Sequence, residues 1–326
     1  MKSVFFTIFI LVLFVGAVRA DDPVAPSNFD PAIVTWWVSQ LAKHEGATAQ
    51  SVESARDGRS LGSQSCQDAY QKLYAKSSLD IRIFIGYENS ESYPGVRATD
   101  LVFDAYTREL LVKTLTTPCV PNLYACGFAR DADFQENSDP EIAVLSKMVL
   151  GPDGSPRKAT IRLESSSVSE SNRQNEHALG SEQKGQSKQI ERDFQDALTN
   201  ANVVLYLGHA RTGSGPGFKP LPALSWSWID AALFRPSRRE MMGALEKSSD
   251  PASLIGIYAC YSDQYYRKGL QKVAPSSGLV LTDEEAVFED EDSSTLGTVN
   301  SILGLECESD FAKGLSHSRV EGFFRP

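Results

Sequence analysis

Two stretches decide the fold: residues 203–209, VVLYLGH, and residues 254–260, LIGIYAC. Each is a short apolar run rich in β-branched and aromatic residues, the pattern of a strand buried on both faces of a parallel sheet. Each also ends on a chemically competent residue. The first closes on His209 and the second on Cys260, 51 residues later. A thiol and an imidazole delivered by two strand ends can meet, which points to a cysteine nucleophile with a histidine base.

Outward from this pair the alternation continues. From about Arg157 the chain reads as strand KATIRL, a polar stretch over 165–189 expected as a mobile loop, helix ERDFQDALTN, strand VVLYLGH, a Gly/Pro-rich loop, helix REMMGALEK, strand SLIGIYA, helix QYYRKGLQKV, strand GLVLT and helix STLGTVNSILGL. Strands alternating with helices predict a mostly parallel sheet covered on both faces, and in such sheets ligands bind outside the carboxyl ends of the strands. Both His209 and Cys260 fall at such ends. Ser262 and Asp263 are cap-type residues ahead of the next helix, which predicts that the sulfur lies near that helix's positive end and that Asp263 is occupied with backbone N–H groups.

Upstream the character differs. Residues 21–77 read as mostly helical, carrying WWVSQLAKH and SCQDAYQKLYAK. Between 78 and 154 the runs IRIFIGY, LVFDAY, ELLVKTL, LYACGFA and IAVLSKMVL, separated by turn residues, predict a β-rich module without catalytic residues. Residues 1–20, MKSVFFTIFILVLFVGAVRA, have the positive start, apolar centre and small terminal residues of a secretory signal peptide. The expected organisation is a signal peptide over 1–20, a helical segment plus β-rich domain over 21–154, and an α/β domain over 155–326. The expected product is exported, periplasmic or extracellular, with no membrane association after signal removal. The lack of any Asn-x-Ser/Thr acceptor fits a bacterial source.

Charge excludes one class of partner. The chain carries 32 basic and 42 acidic side chains, a formal net charge of −10. Loss of Lys2 and Arg19 with the leader makes that more negative, and such a surface repels nucleic acid. Five cysteines in an exported protein leave at least one unpaired or bridging to another chain. Cys119 and Cys126, flanking a Pro-containing segment, are a disulfide candidate, and if four are oxidised Cys260 is the natural odd one out; five reduced core thiols are the alternative.

The run ending in Gly208-His209, followed by the run ending in Ala259-Cys260, resembles the caspase, gingipain and legumain superfamily of cysteine peptidases. The likeness covers residues 155–315, and the 51-residue separation matches the roughly 50 residues between His and Cys in caspases. It implies an α/β, caspase-like fold preceded by the β-rich domain, a His209/Cys260 dyad acting on a peptide or protein substrate, and an oxyanion held by the Cys260 N–H and by backbone around Gly208, His209 and Ala210. One departure stands out. The superfamily usually has Gly after the His, whereas Ala210 follows here and Gly208 precedes, which keeps open a second reading as an inactive binding protein of the same fold.

The resemblance also implies a substrate pocket built at the end of GLVLT, at Thr282 and Asp283. The acidic residues Asp283, Glu284, Glu285, Glu289, Asp290, Glu291 and Asp292 then read as a selector for Arg or Lys, as a calcium site, or as a solvated loop. Arg211 is positioned to contact a substrate carboxylate, and Trp226 and Trp228 read as a cleft wall or as packing. No other cofactor is expected. The loop ARTGSGPGFKPLP lacks the Gly-Lys-Ser/Thr of a phosphate cradle, six residues separate Cys260 from Arg267 where a phosphatase loop needs five, and four scattered histidines without CxxC or HExxH supply no zinc ligands.

Overall fold

The computed structural model describes residues 63–87, 103–119, 123–131, 134, 141–169, 172–220, 236–286, 288–315 and 317–324. The leader, the segment over 21–62, and Trp226 and Trp228 lie outside the described residues. Eight strands form one sheet: β1 (Ser78–Ile85), β2 (Ala129–Arg130), β3 (Ile142–Leu150), β4 (Pro156–Ser165), β5 (Val203–Leu207), β6 (Leu254–Tyr258), β7 (Gly278–Thr282) and β8 (Ser318–Glu321). Their order is β2-β3-β4-β1-β5-β6-β7-β8. The five central strands β4, β1, β5, β6 and β7 are parallel, while β2, β3 and β8 add antiparallel edges. The parallel strands alone run second, first, third, fourth, fifth, a doubly wound order.

Strand alternation divides the core into two layers. On one face Ile81, Ile83 and Ile85 of β1 and Val203, Leu205 and Leu207 of β5 meet α1 (Gln64–Leu73), α2 (Phe103–Thr116), α7 (Phe288–Gly304) and α8 (Glu308–Lys313). On the other, Phe84, Val204, Tyr206, Ile255 and Ile257 meet α4 (Gly180–Asn200), α5 (Pro236–Lys247) and α6 (Ser262–Val273). The short α3 (Asn172–Glu176) precedes α4. β5, β6 and β7 are buried along their whole length, as strands covered on both sides must be. The predicted mostly parallel α/β sheet is what the structure contains.

The separate β-rich module is not. IRIFI is β1, at the centre of the sheet, IAVLSKMVL is β3 beside β4, and the expected boundary at 154/155 falls in the turn of the β3–β4 hairpin. ELLVKTL and most of LVFDAY form α2 instead of strands. Its buried residues Thr107, Leu110, Leu111, Thr114 and Leu115 follow helical spacing, and the two threonines hide that period from a purely apolar count. The polar stretch over 165–189 is likewise largely helical, giving α3 and the first half of α4. The inward stripe of α4 runs Gln183, Ser187, Ile190, Phe194, Ala197 and Leu198, so its first turns bury polar groups in place of apolar ones.

Candidate active site

All five parallel strands end at one rim of the sheet, and the β5–β6 register sets what meets there. Val203 pairs with Leu254, and the ladder continues to Leu207 with Tyr258, a constant offset of 51. One further bond, Gly208 N–H to Tyr258 O at 3.1 Å, carries the pairing past the strands. His209 and Cys260 therefore stand at matched positions, two residues beyond the paired ends of neighbouring strands about 4.8 Å apart. The sequence separation is the register of the sheet.

Cys260 is the one cysteine outside a disulfide. The other four pair as Cys66–Cys307 and Cys119–Cys126. The Cys260 Sγ faces the carbonyl of Ala286 at 3.5 Å, in the loop between β7 and α7. Tyr261, the next residue, is left-handed at φ 52° and ψ 29°, and its N–H donates to Glu284 O at 2.8 Å. α6 starts immediately after, so the chain turns from strand to helix at the sulfur. The cap geometry differs from the sequence expectation. No side chain caps α6: Ser262 Oγ donates to Ile257 O and accepts from Thr282 N–H, tying β6 to β7, while Asp263 pairs with Arg267.

The His209 segment is braced from both sides. Tyr206 Oη donates to His209 O at 3.1 Å, and Tyr266 Oη, from α6, donates to Ala210 O at 3.0 Å. Neither tyrosine stood out in the sequence, although a phenol in an aliphatic strand requires a buried partner and so marks itself. Gly208 takes φ +136°, a region that favours glycine. Ala210 sits at φ −72° and ψ −15°, where alanine is unstrained, so the departure from the superfamily pattern carries no conformational cost. Among the described residues, the N–H groups of Ala210 and Cys260 donate to no backbone carbonyl.

The imidazole of His209 has no hydrogen-bond partner among the described residues. Crowding by surrounding protein, and next the Arg211 guanidinium, push its pKa from 6.5 down to about 4. The residue keeps an exposed surface, which moderates the effect. The direction leaves the ring neutral at pH 7 and makes it a weaker base than an ordinary imidazole. Arg211 itself turns back into its own loop. Its Nη2 donates to Lys219 O, its Nε is buried with no partner among the described residues, and a side chain at Gly217 would collide with it. That orientation differs from the substrate contact expected for it.

At the next strand end, Thr282 is buried and hydrogen-bonded to Ser318, and Asp283 pairs with Arg319 at 2.5 Å. Glu284 lies 3.2 Å from His317, and Glu291 and Asp292 are buried. The acidic run is thus dispersed. Among the described residues no group of three or more His, Cys, Asp or Glu is gathered to hold a metal ion, and no helix is long and apolar enough to cross a membrane. A surface depression of about 660 Å³ lies between α4 and α5, lined by Gln195, Arg239, Glu240, Gly243, Ala244 and Lys247, none of them at the rim.

The rim thus carries, at the ends of neighbouring strands, a cysteine outside any disulfide, a histidine and, among the described residues, two backbone N–H groups with no backbone acceptor. No protein-family model, curated protein or solved structure matches the chain.

Proposed function

We propose that this chain is an exported caspase-like cysteine endopeptidase in which His209 and Cys260 carry out acyl transfer on a peptide or protein substrate. The observation that supports the reading is the β5–β6 register, which puts His209 and the disulfide-free Cys260 at matched backbone positions beyond neighbouring strand ends at the carboxyl rim of a parallel sheet. The sheet, with helices on both faces, is consistent with a caspase-like core. The leader pattern and the two disulfides are compatible with export.

In this mechanism neutral His209 takes the thiol proton as Sγ attacks the scissile carbonyl carbon. The C–S bond forms and the carbonyl π pair moves to oxygen. Collapse restores the carbonyl, breaks the C–N bond and sends the proton from His209 to the departing amine; water then hydrolyses the thioester by the same route. No step requires a cofactor. Asp283, already paired with Arg319, gives no support to a preference for Arg or Lys.

The competing reading, a non-catalytic exported binding protein, draws on one observation: among the described residues no group orients the His209 ring. A peptidyl acyloxymethyl ketone separates the two. The wild type is expected to take up one equivalent at Cys260, and Cys260→Ala to take up none. Labelling that persists in Cys260→Ala would mean another nucleophile, and an unreactive wild type would leave the binding-protein reading.

A further inference from the structure

The peptidase reading leaves one buried polar group at the rim unexplained, and the inference drawn from it rests on that reading. Tyr206 is fully buried, its ring packed edge-on against Phe194 and Phe218 with centroids 6.1 and 5.4 Å away. Its hydroxyl donates to His209 O at 3.1 Å and accepts the Gly217 N–H at 2.8 Å. Glycines make room for it. A Cβ at Gly86 would collide with the hydroxyl, and one at Gly208 would stand 2.9 Å from it. Backbone at two positions, Gly86 and Gly208, is therefore cleared of side chains around a single phenol oxygen.

The carbonyl that Tyr206 holds belongs to the same peptide group as the Ala210 N–H. That group is planar and trans, so its C=O and N–H point in opposite directions. Gly86 directly follows β1, which flanks β5 on one side, and β6 flanks it on the other. The Tyr206 hydroxyl that holds the His209 carbonyl also lies against Gly86 and Gly217. The Ala210 N–H therefore points away from the Tyr206 hydroxyl, and it has no backbone acceptor among the described residues.

We propose that Tyr206 is a positioning residue that locks the His209–Ala210 peptide so that the Ala210 N–H, together with the Cys260 N–H, receives the oxyanion formed when Sγ adds to the substrate carbonyl. Gly208 stands before the histidine because the hydroxyl needs the space, and alanine suffices after it.

Two reagents test this by reading different parts of the site. A peptide aldehyde adds reversibly to the thiol and places an oxyanion-like oxygen on the donor pair. Iodoacetamide alkylates the sulfur by displacing iodide and forms no oxyanion. Tyr206→Phe keeps the ring and removes the hydroxyl. Its kcat is expected to fall about 10- to 100-fold, less than for outright loss of a donor, with KM within about twofold. Aldehyde affinity is expected to fall in step while the iodoacetamide rate at Cys260 holds. Gly86→Ala, which keeps the phenol but displaces its hydroxyl, is expected to give the same pattern; if either variant loses its melting transition, the other decides. Wild-type kcat and aldehyde affinity in a folded variant would overturn the proposal, as would an equal fall in the iodoacetamide rate. A wild type that neither cleaves peptides nor binds the aldehyde would overturn the peptidase reading itself.

Discussion

At the β4 and β1 end of the carboxyl rim, Gln183 donates to Ser166 O and Ser187 Oγ and accepts from Val168 N–H, Gln186 donates to Ser165 O, and Asn175 joins Ser169 to the Tyr87 hydroxyl. These amides close the rim with bonds to their own chain. At the β5 and β6 end of the same rim, backbone N–H groups, an imidazole and a thiol have no strong partner among the described residues. The same edge is sealed at one end and chemically open at the other. Perturbed titratable groups cluster at functional sites, so the end that carries His209 is where a ligand is expected.

The largest test of this contrast is removal of the nucleophile. Cys260→Ala is expected to abolish peptide cleavage, at least about 10³-fold, with little change in melting temperature. Gly208→Ala is expected to damage both properties, because alanine at φ +136° is strained and crowds Tyr206. A loss of roughly 2–4 kcal/mol in denaturant unfolding would match that strain. Gln183→Ala, at the sealed end, is expected to cost about 1–3 kcal/mol by removing its hydrogen bonds to Ser166 O, Ser187 Oγ and Val168 N–H. Thiol labelling should be unchanged in it; a fall would show that the two ends are coupled.

The smallest effects are in pH, where the two ends have opposite signs. His209 holds its pKa near 4 against an ordinary 6.5. The unfolded chain therefore binds more protons between these values, so the stability from this residue is whole above pH 6.5 and is lost as pH falls toward 4. At the sealed end, burial raises the Glu164 carboxyl on β4 from 4.5 to about 7, against the opposing pull of Arg162. Its contribution is whole below pH 4.5 and is lost as pH rises through 7. Denaturant titrations of Glu164→Gln and His209→Ala should remove one slope each. The acid limb of kcat/KM is expected below the ordinary 6.5, and Arg211→Gln should move it upward by only part of the difference, since crowding is the larger cause.

Much of the open end was legible in the sequence because its strands are buried on both faces and read as unbroken apolar runs. Since β5 and β6 are neighbours in parallel, the His-to-Cys separation already contained their register. The sealed end was not legible, for a physical reason. Gln183 and Ser187 occupy core-facing helical positions in α4, and Thr107 and Thr114 do so in α2. Hydrophobic periodicity fails where the inward stripe is polar, and so the first half of α4 reads as a loop and α2 as strands. The place of β1 between β4 and β5 depends on pairings across long sequence distances, which local pattern does not encode.

The central claim is that the imidazole at the end of β5 acts on the sulfur at the end of β6. The most direct measurement is the second-order rate at which a peptidyl acyloxymethyl ketone modifies Cys260 at pH 7, followed by intact mass, in wild type and in His209→Ala. A fall of about 10²-fold or more in the variant is the result expected for loss of a general base. Equal rates in the two proteins would contradict it.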